Sequence, residues 1–221
     1  MKTQGTQRSI YVVLEGVEAA GKTTVLRTLK DRLGESLSCF KAPSVDGPVG
    51  LFIRALFDKS APTPVDEKAM LHLFAADQID QESVMTGQLL SGHDVLIDRH
   101  NMISAMVYQA ETHDPVTVRL VNPKSLYRAP DLLVLLDIFP GEAQKRLDKR
   151  QRENPQTTDG KYKTHDINRI AKRRRQYQLA IDELEKDGWA KRTLRINVTS
   201  MQTEEVAEQI LEAMREARQL H

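Results

Sequence analysis

An α/β fold built on a doubly wound, five-stranded parallel sheet is what this sequence predicts, and three observations predict it. Short apolar runs alternate with longer amphipathic stretches along the 221 residues, the order that lays parallel strands between crossover helices. The runs are continuous rather than alternating, as strands covered on both faces require. Three of them close on an acid, Glu15, Asp98 and Asp137, at the carboxyl edge where open sheets of this kind bind ligands.

The first run, Ile10 to Leu14, ends in Glu15-Gly16 and leads into a helical stretch from about Gly21 to Leu33. Leu37 to Lys41 reads as a second strand, stopped by Pro43. From about Val65 to Leu90 apolar residues recur at three- and four-residue spacing, which predicts one long helix or two abutting ones. Asp94 to Ile97 and Leu132 to Leu136 are the third and fourth runs. Leu194 to Val198 is a weaker fifth, before a final amphipathic helix from about Thr203 to Gln219. With no internal repeat and no low-complexity linker, residues 1–221 read as a single domain.

Composition narrows the function. The 32 basic and 31 acidic residues leave a net charge of +1, whereas a protein that grips a nucleic-acid backbone needs a cation for each phosphate contact. No nucleic-acid partner is expected. No run reaches the ~18 apolar residues of a membrane span, and Met1 to Ser9 carries no signal-peptide core, so a cytoplasmic setting is expected. The single cysteine, Cys39, excludes an internal disulfide and reads as a buried strand residue rather than a reactive thiol.

Gly16-Val17-Glu18-Ala19-Ala20-Gly21-Lys22-Thr23 matches GxxxxGK[ST], after a strand and at the start of a helix. Gly16 and Gly21 let the backbone curl so that successive N–H groups face phosphate oxygens, and the helix that follows adds the positive end of its dipole. Lys22 suits the β- and γ-phosphates, and the Thr23 hydroxyl suits the Mg²⁺ shell. A nucleoside triphosphate and Mg²⁺ are thus expected, on a P-loop NTPase fold. The nearest string to a guanine reader, Asn122-Pro123-Lys124-Ser125, lacks its spacing and its acid, which weakens a GTPase reading.

Along nearly its whole length the chain then resembles the thymidylate kinase family. Leu14-Glu15-Gly16-Val17-Glu18 with Ala20-Gly21-Lys22-Thr23-Thr24 resembles that family's phosphate loop, and Leu73-Phe74-Ala75-Ala76-Asp77 its base-binding helix. Asp98-Arg99-His100, with Ser104 and Tyr108-Gln109, resembles its Asp-Arg-Tyr/His signature. Pro130-Asp131-Leu132 through Leu136-Asp137 and Pro140 resembles the strand that leads to its lid.

The resemblance implies transfer of the ATP γ-phosphate to dTMP, giving dTDP, with small-molecule nucleotides as partners and a homodimer as the assembly. It implies that Glu18 faces the sugar and phosphate of the acceptor, and that Arg99 holds the acceptor phosphate with its planar fork. Asp98 is implied at Mg²⁺ or its waters, with a purely structural pairing to Arg99 as the alternative. Phe74 is implied to stack on the base, or else is plain core. Tyr108 and Gln109 are implied to close the base and sugar pocket, or else pack the surface, and Ser104 is placed with the substrate-binding residues.

A lid is expected near residues 150–163, where Glu153 to Lys163 is polar and contains Pro155 and Gly160. Arg146, Arg150 and Arg152 precede it. The family carries a catalytic arginine in either the phosphate loop or the lid. Residues 17 to 20 contain none, so the lid form is implied, with Arg150 first and Arg152 next; an ordinary basic helix end is the alternative. Arg146 is placed with the ATP-binding residues. The later run Lys172-Arg173-Arg174-Arg175 reads as a solvated helix face.

The chain departs from the family pattern in three places. Lys41-Ala42-Pro43-Ser44 stands where the family has Arg-Glu-Pro-Gly, so Lys41 meets a phosphate as a point charge. The segment between Asp98-Arg99-His100 and Tyr108-Gln109 is one residue longer. Asp77-Gln78 replaces an arginine that donates to the thymine O4, and the Gln78 amide offers both a donor and an acceptor. Acceptors such as a 5-substituted dUMP (hydroxymethyl, for example) or a bare deoxynucleoside therefore stand as alternatives, the latter opposed by a phosphate site holding both Arg99 and Lys41. A non-catalytic nucleotide-binding regulator is opposed by Lys22-Thr23 and the lid arginines.

Overall fold

The computed structural model describes residues 8–58, 60, 64–153 and 166–219. Its strands are β1 (Tyr11–Glu15), β2 (Leu37–Lys41), β3 (Asp94–Asp98), β4 (Leu132–Asp137) and β5 (Thr193–Asn197). Between them run α1 (Lys22–Leu33), α2 (Pro48–Phe57), α3 (Glu67–Leu90), α4 (Asn101–Tyr108), α5 (Pro115–Val121), α6 (Pro140–Glu153), α7 (Ile167–Lys186) and α8 (Thr203–Ala217). The five strands form one all-parallel sheet in the order β2-β3-β1-β4-β5, as the alternation predicts.

Every residue of β1 and β3, and all of β4 but Asp137, is buried. Continuous apolar runs thus became interior strands, each fully buried Val or Leu worth about 1.5–3 kcal/mol. The edge strands are less covered. Cys39 in β2 is half-buried rather than buried, because an edge strand has a neighbour on one side only. Burial still pushes its thiol above the usual value, away from a reactive thiolate.

The Val65–Leu90 stretch is one helix, α3, capped by Asp66, whose carboxylate accepts from Lys68 N at 2.8 Å. His100 caps α4 with Nδ1, accepting from Met102 N at 3.1 Å. The chain leaves β1 towards β2 on one side and leaves β3 towards β4 on the other. The switch point, and hence the crevice, lies at the carboxyl ends of β1 and β3.

At the opposite edge, Asp94 accepts from Ile10 N at 3.1 Å and Asp131 from Tyr11 N at 2.9 Å. Arg218 pairs with Asp94, and Arg8 and Lys191 pair with Asp131. That edge is closed by its own charges.

Candidate active site

Gly16 follows β1 directly. A Cβ there would lie 2.5 Å from the Leu136 carbonyl oxygen of β4, so only glycine lets the two strands' ends approach. Ala19 at φ 61° and Gly21 at φ 93° take left-handed backbone, which for Ala19 stores strain of order 1 kcal/mol. Val17 and Ala20 are buried, and Ala20 N donates to Val17 O at 3.3 Å, closing the loop. The N-cap of α1 is Gly21, with no side chain to accept from the first turn. Those N–H groups are left for an anion. Thr23 and Thr24 are exposed on that turn.

Lys22 is buried, its ammonium donating to Gly16 O at 2.7 Å and Val17 O at 3.1 Å. Burial, then the charge of Arg99, lower its pKa to about 8, against the pull of Asp98, Glu15 and Glu18. The same electrostatic neighbourhood therefore holds the phosphate-loop cation, the arginine after β3 and three carboxylates.

Arg99 also sits in left-handed backbone, φ 75°, with its N–H donating to Leu14 O at 3.0 Å. Its Nη1 donates to the hydroxyls of Tyr108 at 2.8 Å and Tyr177 at 2.6 Å. Both partners are neutral: burial pushes Tyr108 up to about 12 and Tyr177 well above its usual value. The guanidinium charge is therefore oriented by these phenols without being cancelled. Asp98 is buried at the end of β3, and its Oδ1 has no hydrogen-bond partner.

Glu18 Oε1 accepts from Arg173 Nη1, and its Oε2 is buried without a partner. Burial pushes the Glu18 carboxyl up, but the charges of Arg173 and Arg99 outweigh it and hold the pKa below the usual value. Glu15 is fully buried, its Oε1 accepting from His100 N at 2.8 Å and from Ser104 Oγ at 3.2 Å. Ser104 is thus turned towards Glu15.

The remaining predicted residues are more scattered. Lys41 pairs in register with Asp98 at the ends of β2 and β3. Phe74 is half-buried against Phe57, ring centroids 5.9 Å apart. Gln109 Oε1 is buried and unpartnered. Arg146 ties the phosphate loop to the segment after β5, donating to Ala19 O at 3.5 Å and Val198 O at 3.2 Å. Arg150 and Arg152 are exposed on the last turn of α6. The rest of the expected lid, residues 154–163, lies outside the described residues.

Gln78 is fully buried; its Oε1 accepts from Asn101 N at 3.1 Å, which leaves a second lone pair, and its Nε2 is buried without a partner. One expectation changes. The run 172–175 is not a solvated face. Lys172 and Arg175 are exposed, but Arg173 is buried, and Arg174 forks onto Asp137 at 2.6 and 2.7 Å. That pairing balances the charge of Asp137 at the end of β4.

Arg173, Tyr177 and Glu111 are the site residues the sequence reading missed. A signal existed: the buried positions Ile170, Arg173, Tyr177 and Ile181 fall on one stripe of α7 at three- and four-residue spacing, so Arg173 shares the face of residues that must be covered.

A family model for thymidylate kinase matches residues 14–210. A probable thymidylate kinase of Methanococcus maripaludis is 31% identical over 144 residues, 65% of this chain and 67% of that protein. One of Methanosphaera stadtmanae is 32% identical over 145 residues, 63% of this chain and 73% of that protein. The solved thymidylate kinase of Candida albicans overlays with a TM-score of 0.71 at 21% identity, over 96% of this chain and 94% of that one, a likeness in fold. A match from the end of β1 into α8, spanning the phosphate loop, the crevice and α7, places this chain in the thymidylate kinase family.

Proposed function

We propose that this protein moves the γ-phosphoryl group of ATP to dTMP, giving ADP and dTDP. The observation that carries the reading is the meeting of two differently held cations in one crevice. Lys22 is buried in the phosphate loop, and Arg99, after β3, is near enough that its charge adds to burial in lowering the lysine's pKa. One triphosphate and one monophosphate need two cationic sites within reach of each other, whereas a triphosphate switch needs one.

Lys22 releases its two loop carbonyls to meet the β- and γ-phosphates, and the uncapped N–H groups of α1 take the remaining oxygens. Arg99 presents its fork to the acceptor phosphate, steadied by Tyr108 and Tyr177, with Lys41 as a second charge. Transfer is in line, without a covalent enzyme intermediate. Among the described residues no group of three or more His, Cys, Asp or Glu is arranged to hold a metal ion. Thr23 and the unpartnered Asp98 Oδ1 are the residues that would hold Mg²⁺ or its waters. When bound, Mg²⁺ neutralises charge on the transferring group. Arg150, and after it Arg152, would add a cation from the lid.

No helix among the described residues is long and apolar enough to cross a membrane. Exposed Leu51 and Phe52 on α2 and Ile79 and Val84 on α3 offer apolar area to a second copy, in keeping with a homodimer.

The test is ADP release with ATP, Mg²⁺ and a panel of dNMPs, 5-substituted dUMPs and thymidine. dTMP is expected to turn over and thymidine not to. Preference for thymidine, or release independent of any acceptor, would overturn the reading.

A further inference from the structure

Arg173 is a guanidinium each of whose three nitrogens is committed to a carboxylate. Nε and Nη2 donate to the two oxygens of Glu111 at 2.8 and 3.2 Å, and Nη1 donates to Glu18. Its side chain is 10% exposed, and its central carbon lies 4.5 Å from the Tyr108 ring centroid, which shields it further. Arg169, one turn earlier on α7, pairs with the same Glu111 at 2.8 Å. A cation enclosed by two carboxylates has little charge left for a phosphate. Arg99 is the opposite case, since its partners are neutral phenols.

What Arg173 does is fix Glu18. One carboxylate oxygen is pinned, and the other, Oε2, is buried with no donor in the protein. An oxygen held in that way is open to a donor that arrives with a ligand. A monophosphate seated on Arg99 offers acceptors at its phosphate, and the nearest donor it carries is a hydroxyl of the sugar. On a deoxynucleotide that is the 3′-hydroxyl.

We infer that Arg173 is a positioning residue that aims the free oxygen of Glu18 at the acceptor's sugar hydroxyl, and so sets the selectivity for acceptors that carry it. The inference rests on the reading of the site as a deoxynucleotide kinase. Glu111, held by Arg169 as well, anchors Arg173 to the fold, so the aim of Glu18 depends on α7 as much as on the phosphate loop.

The experiment compares kcat/KM for dTMP and for its 3′-deoxy analogue in the wild type, Arg173→Gln and Arg173→Lys. The ratio of the two constants within one preparation is independent of how much of the protein is folded. The wild type is expected to prefer dTMP. Arg173→Gln should cut that preference about tenfold, the size of one charge-assisted hydrogen bond lost from its proper place, and Arg173→Lys should restore part of it. The acid limb of kcat/KM for dTMP should also move to higher pH in Arg173→Gln, because the cation holding Glu18 ionised is gone. A ratio unchanged in both variants, with the two acceptors slowed alike, would make Arg173 merely structural and overturn the inference. If Arg173→Gln does not fold, Arg173→Lys decides on the same ratio. A wild type that phosphorylates neither acceptor would overturn the proposed function, and this inference with it.

Discussion

The two ends of the sheet treat their carboxylates in opposite ways. At the amino end Asp94 and Asp131 are buried and saturated, each accepting from a backbone N–H at the start of β1 and each paired with a cation. At the carboxyl end Glu15, Glu18 and Asp98 are largely or fully buried, yet each keeps an oxygen without a partner. Leaving a buried polar group unsatisfied costs about 1–3 kcal/mol, so the carboxyl end carries bonding capacity that is open to a ligand. One end of the sheet holds the fold together, and the other is held ready by it.

Substitutions should separate the two ends sharply. The largest effect belongs to Lys22→Ala, which should lower kcat by about 10³-fold or more while the circular dichroism spectrum stays that of the wild type. Near-full activity would remove the central role of the phosphate loop. Arg150→Ala should lower kcat by about 10²-fold, with a smaller change in the KM for ATP, because a lid cation acts on charge that develops during transfer. A change in KM alone would redirect the lid role to Arg152.

At the amino end the expectation reverses. Asp131→Asn keeps an acceptor for Tyr11 N but loses the charge that Arg8 and Lys191 face. It should cost about 2 kcal/mol, or about 4–8 °C in Tm, by differential scanning calorimetry, with kcat unchanged. A loss of kcat without a loss of Tm would erase the distinction between the two ends.

The pH dependence sharpens the comparison further. The pKa of Lys22 lies at about 8, below the usual lysine value, so in the free protein its positive charge is lost as pH rises through that value. A bound triphosphate favours the charged form and lifts the pKa again. The profile of kcat/KM for ATP should therefore fall about tenfold per unit above that pH, while kcat holds to higher pH. Parallel profiles would mean that Lys22 does not govern ATP capture.

The smallest effect is expected at Gln78. Since its Oε1 serves Asn101 N, Gln78→Arg should lower stability by about 1–2 kcal/mol and shift the preference among dTMP, dUMP and 5-hydroxymethyl-dUMP by less than about tenfold. A larger shift would make Gln78 a direct reader of the base despite its burial.

By itself the sequence determined the phosphate loop, the five strands and the acid at the end of each central one. These are local properties: a contiguous glycine-lysine-threonine spacing and a hydrophobic period that a strand or helix must obey wherever it lies. It also marked Arg99, because that residue follows a strand end in a recognisable string. Only the tertiary structure decided which charges are free. Arg173 and Glu18 are 155 residues apart, and four consecutive basic residues look alike until the carboxylates that face two of them are known. Gln78 was legible as a departure, but the Asn101 N–H that occupies its oxygen comes from another element, after β3. The charge and hydrogen-bonding capacity a residue offers a ligand is what its neighbours leave over, and those neighbours are brought together by the packing of α3, α4 and α7 against the sheet.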